Sequence, residues 1–65
     1  MSTIKVLEAL ETIITHTIIW LRQDAIGVKE RGDQESYTTY TSAAERLEKA
    51  SELIGVAINI LAQSQ

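Results

Sequence analysis

Apolar side chains recur in the first half of this chain at Ile4, Leu7, Ile14, Ile18, Leu21, Ala25 and Val28. With Glu11 counted as the one polar member, the steps alternate three and four residues, which is the seam of a helix packed along one side. The second half repeats the pattern at Tyr40, Ala43, Leu47, Ala50, Ile54, Ala57 and Leu61. The spacing predicts helix 1 over about residues 3–30 and helix 2 over about 34–62. The break falls in Lys29-Glu30-Arg31-Gly32-Asp33-Gln34, with the turn at about 31–34. Gly32 suits a helix C-terminus because it tolerates positive φ, and Asp33 can cap the helix that follows. One stretch competes with this reading. Ser36-Tyr37-Thr38-Thr39-Tyr40-Thr41-Ser42 is β-prone by composition, and Ser42-Ala43-Ala44-Glu45 is a capping box from which helix 2 could start instead. The earlier start is favoured because the seam already includes Tyr40.

The two seams fit each other as an antiparallel pair. Val28 with Tyr40, Leu21 with Leu47, Ile14 with Ile54 and Leu7 with Leu61 all have residue numbers adding to 68, so the midpoint is residue 34, inside the proposed turn. The fold class expected is all-α, an antiparallel two-helix hairpin of coiled-coil type forming a single domain over 1–65. Ala43, Ala50 and Ala57 recur every seven residues opposite mostly larger side chains, an alternation that lets helices approach closely.

More apolar surface is present than the seams use. Val6, Leu10, Ile13 and Trp20 form a second stripe on helix 1, about 100° from the first at ~100° per residue. Leu53, Val56 and Ile60 are displaced by a similar angle in the same sense on helix 2, so all seven fall on one face, mostly toward the open end of the hairpin. A contiguous patch of several hundred Å² usually marks an interface, and a Trp or a cluster of aliphatic anchors is typical of its centre. Val6, Leu10, Ile13, Trp20, Leu53, Val56 and Ile60 are therefore the expected partner interface. On the opposite face Ile19, Ile26, Tyr37 and Ala44 form a smaller patch near the turn.

Size sharpens that expectation. A 65-residue chain buries only about 60% of its unfolded surface and normally needs a disulfide, a metal or a second subunit to be stable. There is no Cys and a single His, so neither a disulfide nor a metal staple is expected, and no cofactor. That leaves oligomerisation, a homodimer included, or a larger helical partner. No apolar run approaches the ~18 residues of a membrane span, no signal peptide is expected at Met1-Ser2-Thr3-Ile4-Lys5, and the composition fits a reducing, cytoplasmic setting. A net charge of −3 with six scattered basic residues argues against nucleic-acid binding.

No catalytic constellation is present, and the chain is not expected to be an enzyme. His16 falls on the polar arc of helix 1. Arg31-Gly32-Asp33 matches an adhesion tripeptide but reads as the turn. Glu11 reads either as a residue reaching to water or as a polar register device. Gly55, costly within a helix by about 1 kcal/mol, marks either a close approach of a partner backbone or a neutral position.

The turn and helix 2 carry a resemblance. Arg31-Gly32-Asp33-Gln34-Glu35-Ser36-Tyr37, Glu45-Arg46-Leu47-Glu48-Lys49-Ala50, and then Ile54, Ala57, Ile58 and Ile60 resemble the small YscE/PscE-type co-chaperones of type III secretion systems, in chain length and hinge position as well. Helix 1, with Ile13-Ile14 and Thr17-Ile18-Ile19-Trp20, is more apolar than that family's pattern. The resemblance implies a helical hairpin that binds a tetratricopeptide-like chaperone, the two together holding a needle subunit in the cytoplasm and preventing early polymerisation.

Overall fold

The computed structural model describes residues 2–64 and contains two helices, α1 (Thr3–Glu30) and α2 (Gln34–Gln63), packed against each other, with no strand among the described residues. Each end of α1 is capped by the chemistry its sequence supplies. The Ser2 side chain accepts a hydrogen bond from the Lys5 N–H at 3.1 Å, satisfying one of the donors that a helix start leaves free. At the other end Gly32 has φ of 80°. Its N–H donates to the Lys29 carbonyl at 3.0 Å and the Asp33 N–H donates to the Val28 carbonyl at 2.9 Å, the paired bonds of a Schellman ending. A Cβ at Gly32 would meet no atom within 4 Å, so crowding is no obstacle and the backbone angle is. Gly32→Ala is expected to lower stability by about 1 kcal/mol, the cost of a left-handed conformation for a residue with a Cβ, as measured by urea denaturation.

Asp33 ends one helix and starts the next. Its carboxylate accepts from the Ser36 N–H at 3.0 Å, and Glu35 follows in the first turn of α2, where the helix dipole favours negative charge. Hydrogen bonds from the Ser36 side chain and backbone, with Arg31 adding a smaller attraction, hold the Asp33 carboxyl below its usual range. A depressed folded-state pKa stabilises the fold above the unfolded value near 3.8 and loses that contribution as pH falls through the folded value. The urea midpoint is therefore expected to fall on acidification below about pH 4, and to fall less in Asp33→Asn, which keeps the cap oxygen without the charge. An unchanged acid response in that variant would assign the effect to other carboxylates.

The β-prone stretch is helical throughout, and α2 starts at Gln34. Threonine hydroxyls explain how it stays so. Thr39 Oγ1 donates to the Glu35 carbonyl at 3.1 Å, and Thr41 Oγ1 to the Tyr37 carbonyl at 2.9 Å. Bonded this way, the hydroxyls join the helix rather than compete with its backbone. Thr12, Thr15 and Thr17 repeat the arrangement in α1. Tyr37, Tyr40 and Thr41 are also half-buried, so packing against α1 adds to what local propensity lacks.

Two cross-hairpin contacts fix the register. Arg22 Nη2 lies 2.6 Å from Glu48 Oε1, and Glu11 Oε2 lies 3.6 Å from where a Cβ on Gly55 would stand. These pairs add to 70 and 66, on either side of the expected 68. In α1 the expected seam is the covered one: Ile4, Leu7, Glu11, Ile14, Ile18 and Leu21 are half-buried, and Ala25 and Val28 are buried. In α2 the covered arc is wider than expected. Tyr40, Leu47, Ile54 and Leu61 run along its middle, flanked on one side by Ala43, Ala50 and Ala57 and on the other by Tyr37, Ala44, Ser51 and Ile58, half-buried apart from Ala44. Ala44 is 0% exposed, the most enclosed of the three buried residues with Ala25 and Val28. This corrects its assignment to the small exposed patch: a methyl side chain lets α1 close over it, so the position belongs to the core.

The same geometry settles Gly55, which is half-buried and sits beside Glu11 rather than facing outward. A methyl group there would make an ordinary contact with the movable end of the Glu11 side chain. Gly55→Ala is expected to raise stability by about 1 kcal/mol, the helix-propensity gain, seen as a higher urea midpoint with unchanged cooperativity.

Candidate protein interface

The hairpin measures 51 × 17 × 10 Å with a radius of gyration of 15.1 Å, against about 11 Å for a compact chain of this length. It is one helical layer thick, so each helix has a second side that no other part of the described residues covers. The accessible surface is 4936 Å², roughly 800 Å² above the ~4100 Å² expected of a folded monomer of 7.2 kDa. The three buried residues lie toward the turn, so the open end is held by half-covered side chains alone.

The structure leaves all seven expected interface residues exposed, from Leu10 at 43% to Leu53 at 70%, with Val6, Ile13, Trp20, Val56 and Ile60 between. Both helices are uninterrupted, so the helical repeat places Val6, Leu10 and Ile13 on the same side as Leu53, Val56 and Ile60. By the observed register, Leu53, Val56 and Ile60 lie level with positions near 15, 12 and 8 of α1. The six side chains therefore form one apolar surface about ten residues long, close to 15 Å at the helical rise. Trp20 continues it toward the turn, with its ring stacked on His16 at a centroid distance of 6.5 Å and an interplanar angle of 28°. Beyond Trp20 the face turns polar, with Asp24 on α1 and Arg46 and Lys49 on α2.

The opposite side is narrower. Ile19 and Ile26 are exposed, but Tyr37 is half-buried, with Lys29 Nζ 4.9 Å from the centre of its ring. The Arg22–Glu48 pair crosses the same side. With Ala44 enclosed, this patch shrinks to two isoleucines behind a lysine and an ion pair, and the wide apolar face is the stronger candidate.

Other sites are poorly provided for. A shallow, open depression is lined by Ser42, Glu45, Arg46 and Lys49, four residues of one helix turn and the next, with no wall from α1. Among the described residues no three His, Asp or Glu side chains converge as a metal set. Nor, among these residues, is any helix long and apolar enough to cross a membrane. Comparison of the chain with protein-family models, curated proteins and solved structures yields no match.

Proposed function

We propose that this chain is a protein-interaction module whose apolar face is completed by another helical surface. The observation that carries the reading is the exposure of Val6, Leu10, Ile13, Leu53, Val56 and Ile60 together on one side of a hairpin. Aliphatic anchors grouped in this way are what a helical partner buries at the centre of an interface. The face is built on rigid helices rather than loops, so it is presented without an ordering cost of its own.

The resemblance of the turn and helix 2 to the needle co-chaperones gives this reading a specific form. The partner is a tetratricopeptide-like chaperone, and the needle subunit is held soluble through it. What supports this form is the run of turn and helix 2 residues quoted above. Co-expression with such a chaperone is expected to give a stoichiometric complex, and Leu10→Glu with Val56→Glu is expected to abolish it. Separate elution of the two wild-type chains would remove the co-chaperone form. The broader reading has its own test in a solvatochromic dye such as anilinonaphthalene sulfonate. Unless another protein or a second copy occupies the face, the folded chain should bind the dye and the double variant should not.

A further inference from the structure

We infer that a second copy of this chain covers the apolar face, the two hairpins lying side by side with their turns at the same end as an antiparallel four-helix bundle. The inference rests on the reading of that face as an interface, and names its occupant when the chain is on its own.

The heptad pattern provides for two neighbours per helix. Beside the seam of α1, Leu10, Thr17 and Asp24 stand three residues after Leu7, Ile14 and Leu21. Beside the seam of α2, Arg46, Leu53 and Ile60 stand three residues after Ala43, Ala50 and Ala57. Each helix thus repeats a three-four stripe on its uncovered side, and such a doubled stripe is what a helix in a four-helix bundle carries. Ala43, Ala50 and Ala57 lie between the two stripes and are only half-buried in the hairpin. A second layer of helices would cover them, setting small side chains opposite large ones.

Charge selects the copy and its orientation. Asp24 and Arg46 lie on this stripe, and neither is in an ion pair among the described residues, where Arg22–Glu48 is the pair formed. By the register, Arg46 stands level with position 22 and Lys49 level with position 19 of α1. A two-fold axis along the hairpin lays α1 of one copy against α2 of the other and keeps those levels. Asp24 then meets the partner's Arg46, Arg46 meets the partner's Asp24, and Trp20 meets the partner's Lys49 in a cation–π arrangement. An isologous interface must be complementary to itself in this way. A two-fold axis across the hairpin would lay α1 on α1 and leave Asp24 and Trp20 beyond the contact. The area agrees as well: the excess surface of roughly 800 Å² per hairpin is about what each partner contributes to an interface of standard size.

The test uses charge-swapped chains. Asp24→Arg alone and Arg46→Asp alone each put like charges together, within the hairpin and across the dimer, and each is expected to raise the dimer dissociation constant at least about tenfold in sedimentation equilibrium. Mixing the two variants restores opposite charges between chains while leaving like charges within each chain. The mixture is expected to dimerise nearly as well as wild type, and failure to recover would overturn the inference. Orientation is read independently from spin labels on Gln34→Cys, which is exposed at the turn in a chain with no cysteine of its own. Aligned hairpins place the labels within about 40 Å, given helix spacings of 8–10 Å, whereas hairpins crossed over the apolar patch would separate them by roughly 65 Å and overturn the inference. A wild-type monomer at all concentrations that binds anilinonaphthalene sulfonate would overturn the second copy yet keep the face as an interface. A monomer that binds no dye would overturn both.

Discussion

Ala44→Leu is expected to destabilise the hairpin by about 2 kcal/mol, within the usual 1–3 kcal/mol range for overpacking. Ala44 is fully enclosed, and the helices meet closely because its side chain ends at one methyl. Three more heavy atoms would wedge α2 away from α1 at the buried end of the hairpin, where Ala25 and Val28 form the rest of the enclosed core. With so small a core, that loss is a large share of the total stability. Ala43→Leu, one position away and half-exposed, is expected to cost less, since leucine there can lean toward the uncovered side. Comparing the urea midpoints of the two variants tests which alanine line the helices close upon. A larger loss at Ala43 would place the contact on the expected seam instead.

That comparison bears on how much of the fold can be read from the residues. The turn, both helices and the register follow from local chemistry and spacing: Gly32 at positive φ, Asp33 as a cap, and two seams whose midpoints agree. The side of α2 that faces α1 is harder to read. Tyr40, Leu47, Ile54 and Leu61 form a line with two possible companions, Ala43/Ala50/Ala57 and Tyr37/Ala44/Ser51/Ile58. Both complete a three-four repeat and both contain small residues, so periodicity alone does not choose. Packing includes both and seals over Ala44, with Glu11 of α1 lying beside Gly55 of α2. Patterning is local to one helix, whereas the closeness of approach depends on the pair. The candidate face was legible for the complementary reason: Val6, Leu10, Ile13, Trp20, Leu53, Val56 and Ile60 lie off both seams, so their exposure in the hairpin follows from the helical repeat alone.

Leu10→Glu combined with Val56→Glu is expected to separate folding from association. Both side chains are about half exposed in the hairpin and neither is in its enclosed core, so the double variant should keep its helical circular dichroism. In an assembled state each of these side chains is buried, and burial of a Val or Leu contributes about 1.5–3 kcal/mol. Two charged replacements per chain forfeit that and add the cost of desolvating carboxylates, enough together to lower affinity by several orders of magnitude. The consequence reaches stability through mass action. If assembly holds the folded state, the thermal midpoint of the wild-type chain rises with protein concentration, and the double variant melts at a lower temperature that does not depend on concentration. A concentration-independent midpoint in the wild type, equal to that of the double variant, would mean that the hairpin stands on its own core and that self-association adds nothing to it. A helical signal lost outright in the double variant would show instead that these two residues belong to the folding core, contrary to their exposure.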